Sequence, residues 1–209
     1  MISFEEEDYS SPETIKVTGG VVPDDSWEKN KNIFADAARI TCRLQVQYLS
    51  LHAGFIDHTD REKYRVMCDR IKYMADIAAE GGIMLLLETG QESASELAGF
   101  MRDINHPAVG INFDPANMIL YDKGDPIEAI KVLSPWIKHV HIKDAIKTET
   151  PGQWGAEVPW GDGQVPGDKF LATLREVGYE GALAVEREAG DSRIDDIARA
   201  VERLKQYIG

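Results

Sequence analysis

Four apolar runs in this chain end in groups that bind protons or cations. Leu85-Leu86-Leu87-Glu88, Ile111-Asn112-Phe113-Asp114 and Leu183-Ala184-Val185-Glu186 each close on a carboxylate. The fourth is Lys138-His139-Val140-His141-Ile142-Lys143-Asp144. Strand alternation puts His139, His141 and Lys143 on one of its faces. An acidic group at the end of a buried strand is costly unless something pairs it. Four strands that each deliver one such group point to a shared cation.

These runs recur between helical stretches. Strands are expected at residues 15–18, 46–51, 83–87, 109–113, 137–142 and 182–185, and helices at 27–44, 60–80, 93–104, 125–133, 168–177 and 194–207. Local signals support the helix starts, with Ser26 or Asp25 as a cap before Trp27 and Pro126 just inside its helix. The strands are continuous apolar runs rather than alternating ones, as in parallel sheets buried on both faces. Regular βα repetition means a (β/α) barrel or an open α/β sheet. No G-x-G-x-x-G follows a strand, so the dinucleotide signature is absent. Chemistry at the C-terminal strand ends is where barrel enzymes place it. Residues 1–14 are acidic and turn-rich, expected as a loose arm before one barrel domain over 15–209. Six strand–helix units are expected where a full barrel has eight, so the first two units are missing. The open edges predict a homo-oligomer.

The formal net charge of −13 disfavours nucleic acid as a partner. No apolar run is long enough to span a bilayer, so no membrane partner is expected. Cys42 and Cys68 form no C-x-x-C pair and read as reduced thiols of a cytoplasmic protein.

Several segments resemble one known family. They are Leu87-Glu88-Thr89-Gly90, Asn112-Phe113-Asp114-Pro115-Ala116-Asn117-Met118, His139-Val140-His141-Ile142-Lys143-Asp144, Gly161-Asp162-Gly163-Gln164-Val165 and Val185-Glu186-Arg187-Glu188. In order and spacing they resemble the sugar phosphate isomerase/epimerase proteins of the xylose-isomerase-like TIM barrel superfamily. The resemblance implies a divalent metal held by Glu88, Asp114, His141 and Glu186. Three carboxylates and one imidazole suit Mn²⁺ first, with Mg²⁺, Co²⁺ or Zn²⁺ as alternatives. It implies proton abstraction next to a carbonyl of a sugar or sugar phosphate, through an enediolate, with Glu88 and Glu186 as the catalytic pair. The sequence departs from the family at Asn117, where epimerases often carry a His.

Substrate contacts are expected from His52, Asn117, Lys143, Arg187 and Trp160. Trp154 and Trp160 share the long loop over residues 145–166. Asp144 is a candidate for orienting Lys143. Two alternatives stand beside the isomerase: a dehydratase of an inositol ketone, starting from the same enediolate, and a non-catalytic truncated barrel that serves as a binding module. An apurinic endonuclease shares the superfamily fold, but its His-rich multi-zinc chemistry fits poorly with five His and a charge of −13.

Overall fold

A computed structural model describes residues 1–208. Five parallel strands form one curled sheet: β1 (Tyr48–Leu51), β2 (Met84–Glu88), β3 (Val109–Phe113), β4 (Ile137–Ile142) and β7 (Leu183–Val185). Their order in the sheet is β1-β2-β3-β4-β7, so neighbours in sequence are neighbours in space. The sheet is an incomplete parallel barrel. β2 and β3 are buried almost throughout, as their continuous apolar sequences require. The register sets Glu88 beside Asn112 and His141 beside Ala184.

Helices connect the strands and cover the sheet. α3 (Arg61–Glu80) joins β1 to β2, and α4 (Ala94–Ile104) joins β2 to β3. α5 (Pro115–Leu120) and α6 (Pro126–Leu133) lie between β3 and β4. α7 (Gly167–Glu176) precedes β7, and α8 (Arg193–Ile208) ends the described chain. The starts follow local chemistry. Asp60 accepts from Glu62 N and Lys63 N, and Ser93 and Glu96 form a reciprocal capping box. Gly110 on β3 permits close packing, since a Cβ there would stand 2.7 Å from Lys138 Cγ and 2.9 Å from Leu86 Cδ2. Among the described residues no helix is long and apolar enough to cross a membrane. Cys42 and Cys68 are both free.

Two expectations are corrected at the N-terminus. Residues 15–18 are not a strand but the end of helix α1 (Pro12–Thr18). Ser11 and Thr14 form a capping box there and Pro12 sits at the first position, which outweighs the β-branched residues Ile15 and Val17. The sheet therefore has five strands. The acidic arm is not loose either. Ile2 pairs in parallel with Leu51 on the free edge of β1, and Phe4 is buried in the core. The Glu7 carboxylate accepts from Phe4 N and Gly20 N, which ties the acidic stretch to the body. α2 (Trp27–Arg43) follows and packs on α3.

The loop over 145–166 is not structureless. It carries a hairpin of β5 (Asp144–Ile146) and β6 (Ala156–Val158). Its anchor is the Asp144 carboxylate, which accepts from four backbone N–H groups, those of Ala145, Gly161, Gly163 and Val165, at 2.9–3.1 Å. A Cβ at Gly163 would sit 2.3 Å from Asp144 Oδ1, so this wrap requires glycine. Asp144 thus shapes the loop and has no bond to Lys143.

A candidate metal centre at the strand ends

Glu88, Asp114, His141 and Glu186 come together at the C-terminal ends of β2, β3, β4 and β7. One ligand atom from each lies within 4.8 Å of all the others. His141 Nδ1 faces the three carboxylates, 3.2 Å from Glu186 Oε2, 3.4 Å from Asp114 Oδ2 and 3.7 Å from Glu88 Oε1. Glu88, Asp114 and His141 are buried, and Glu186 is half-buried. Metal–oxygen bonds of about 2.1 Å put ligand atoms roughly 3–4 Å apart. The spacing and the donor set therefore fit one divalent cation, with three oxygens and one nitrogen of hard to borderline character.

Local structure holds each ligand in place. Asp114 is the N-cap of α5, accepting through Oδ1 from Ala116 N and Asn117 N, which leaves Oδ2 turned to the cluster. Pro115 at the first position of α5 fixes that turn. Thr89 locks β2 to β3, its hydroxyl accepting from Asp114 N and donating to Asp114 O. Glu88 accepts from Asn112 Nδ2 at 2.8 Å and from Asn117 Nδ2 at 2.9 Å. Asn112 also contacts His139 Nδ1 at 2.8 Å and His141 Nε2 at 3.2 Å. It supports two of the clustered side chains, Glu88 and His141, as well as His139, and the sequence reading missed it. Its position, two residues before Asp114 and on the same face of the strand, was the available signal.

The electrostatics are those of carboxylates packed against each other. Burial pushes the Glu88 pKa up, and the Asp114 and Glu186 charges push the same way against His52 and His141. Burial alone would lower the His141 pKa, but hydrogen bonds and charge from the carboxylates outweigh it and raise it to about 10. For Glu186, burial is overcome by His141 and Lys143, which lower the pKa to about 2. Lys143 shows the same contest. Its burial is outweighed by Asp114, Glu186 and Glu188, which hold the ammonium charged. Its Nζ lies 2.9 Å from Glu186 Oε2, 2.5 Å from Glu188 Oε2 and 3.8 Å from both Asp114 and Glu157.

Beside the cluster is an open cavity of about 470 Å³. His52, Asn117 and Lys143 line it, together with Tyr121, Trp154 and Glu157. His52 Nε2 is 3.7 Å from Glu88 Oε1. Two expected contacts lie elsewhere. Arg187 points away from the cluster, donating to Glu157 Oε1 at 2.7 Å and Asp196 Oδ2 at 2.9 Å. Its alternation relative to Glu186 accounts for this. Trp160 is buried behind the loop against Phe170, with ring centroids 5.8 Å apart. Trp154 takes the place at the cavity, packed edge-on to Tyr121 at 5.0 Å, with its Nε1 donating to Tyr9 O. His139 sits deeper than His141 and is held by Asn112.

A family model described as xylose isomerase-like TIM barrel matches residues 11–207. The chain belongs to this family. A solved relative, a xylose isomerase domain protein from Planctomyces limnophilus, is 35% identical and superimposes with a TM-score of 0.91, covering 97% of this chain and 73% of that one. A D-allulose 3-epimerase from Methylomonas sp., solved with D-allulose, shares the fold at 18% identity and a TM-score of 0.71, covering 90% and 73%. Among curated sequences, an inosose dehydratase of Clostridium botulinum (strain Alaska E43 / Type E3) is 26% identical over 167 residues, 72% of this chain and 55% of that protein. The chain spans about half the length of the inosose dehydratases it matches.

Proposed function

We propose that this protein is a divalent-metal-dependent isomerase or epimerase of sugars, acting by proton transfer at the carbon next to a carbonyl. The observation that supports this reading is the set of four ligand groups converging on one point at the strand ends. A divalent cation bound there supplies Lewis-acid polarisation of a substrate carbonyl and its neighbouring hydroxyl. Glu88 and Glu186 reach the centre from β2 and from the end of β7, with β3 and β4 between them. One carboxylate takes the α-proton from carbon and the other returns a proton, which inverts that carbon. If one carboxylate returns the proton to the adjacent carbon, and the hydroxyl proton passes between the two oxygens, the outcome is aldose–ketose isomerisation. Asn112 and Asn117 hold Glu88 in position for either step.

Lys143 favours a second reading, dehydration of a ketone-bearing polyol. Its ammonium is buried in the cavity and kept charged, 2.9 Å from Glu186. It can donate a hydrogen bond to a departing hydroxyl after α-proton removal, which steadies the charge that elimination develops on that oxygen. The inosose dehydratases among the curated relatives carry that activity in their names.

The test is exchange of the α-proton with solvent, which precedes all three outcomes. Mn²⁺-loaded protein is incubated in D₂O with ketoses and an inosose, and loss of the α-proton signal is followed by NMR. Exchange is expected with at least one of them, slowed by about 10²–10⁴-fold in Glu88→Gln or Glu186→Gln. No exchange with any compound would overturn the proposal.

A further inference from the structure

The charge arrangement around the cavity carries information on which ligands can enter it. We infer that this cavity takes an uncharged polyhydroxylated compound and excludes its phosphate esters, with Glu157 and Glu188 setting that choice. This rests on the metal-enzyme reading of the same site.

A phosphate monoester carries close to two negative charges at neutral pH and needs free cationic donors or open helix-end amides. Among the side chains of the described residues that line the cavity, Lys143 carries the one permanent positive charge. An ammonium has three protons to donate. Lys143 Nζ already contacts Glu186 Oε2 and Glu188 Oε2, with Asp114 Oδ2 and Glu157 Oε2 at 3.8 Å. Arg187, the nearest guanidinium by sequence, is held outside by Glu157 and Asp196. The first-turn amides of α5 are taken by Asp114. Three carboxylate ligands outweigh a divalent cation, so the loaded centre does not attract a dianion.

Glu157 and Glu188 meanwhile face the cavity. Glu157 is fixed on β6, its Oε1 accepting from Arg187 Nη1, Glu188 N and Ala189 N. Glu188 stands at the rim, its side chain 59% exposed. Any anionic tail on a ligand held at the centre meets these two carboxylates, and like charges in contact are penalised. Hydroxyl groups meet no such barrier, because they donate to Glu157 and Glu188 and accept from Asn117. Tyr121, Trp154 and Leu120 add an apolar wall for the C–H face of a sugar or ring polyol.

The experiment uses the full chain with and without Mn²⁺. Binding of D-fructose and myo-inositol is compared with that of D-fructose 6-phosphate and inositol monophosphate, by calorimetry and ligand-observed NMR. A neutral compound is expected to bind, and its phosphate ester to bind at least about ten-fold more weakly. Glu188→Lys is expected to strengthen ester binding about ten-fold relative to the neutral parent compound, whose own binding weakens through the lost hydroxyl contact. An ester that binds as tightly as its parent overturns the inference, as does a protein that binds none of the four. A Glu188→Lys variant that still rejects the ester removes Glu188 from its assigned role. Mn²⁺ binding is read separately in the same titrations, so its absence counts against the metal enzyme and leaves the sugar comparison readable.

Discussion

Two sets of carboxylates in this molecule are stabilised in opposite ways. Asp144 is wrapped by four backbone N–H donors from its own loop. Glu88, Asp114 and Glu186 instead face each other around one imidazole nitrogen. Backbone amides are permanent and neutral, so Asp144 is complete within the protein. The cluster relies on protonated His141 and on Lys143, and their pKa values rise to supply the charge. A divalent cation would replace that arrangement. One carboxylate builds the fold, and the other three build a site.

The largest test of this contrast is Asp144→Ala. It leaves four loop donors without their acceptor and is expected to cost on the order of 4 kcal/mol in urea unfolding. A loss below about 1 kcal/mol would remove Asp144 from its structural role.

Glu92 is an intermediate case. It is buried with a single backbone donor, Ile56 N at 3.0 Å. Burial raises its pKa from 4.5 to about 7, and the Ile56 bond only partly opposes this. A folded-state pKa above the unfolded one favours the protonated carboxyl in the fold. This contribution is therefore complete below pH 4.5 and lost as pH rises through about 7. It amounts to about 3 kcal/mol at most. Glu92→Gln is expected to be more stable than the parent at pH 8 and to lose most of that advantage at pH 4. Equal pH profiles for the two proteins would refute this account of Glu92.

The smallest expected effect is on the stability of the metal-free cluster. Glu88→Gln removes one of three mutually repelling carboxylates, so unfolding without metal should change by less than about 1 kcal/mol. The same substitution should weaken Mn²⁺ binding. A large stability loss without metal would make Glu88 a structural carboxylate like Asp144.

The sequence makes the candidate metal site legible because strand ends are a local signal. Glu88, Asp114, His141 and Glu186 each follow an apolar run, and the parallel sheet carries all four to one rim. The family resemblance, which the matching family model bears out, chose His141 over His139. The N-terminus was not legible in the same way. Ile15 and Val17 suggest a strand, but the Ser11–Thr14 capping box decides for a helix. The choice between Trp154 and Trp160 depended on a hairpin anchored at Asp144, and that anchor uses residues up to twenty-one positions away. Arg187 follows Glu186, so alternation turns it away from the cluster, and its partners Glu157 and Asp196 lie on separate elements that only the fold brings to it.

The central claim is that the three facing carboxylates and His141 hold a divalent ion. Calorimetric titration with Mn²⁺ at pH 7.5, on the parent and on Glu186→Gln, tests it most directly. One site per chain is expected in the parent, with affinity at least about ten-fold weaker in the variant. No Mn²⁺ binding by the parent, or equal affinity in both proteins, would contradict it.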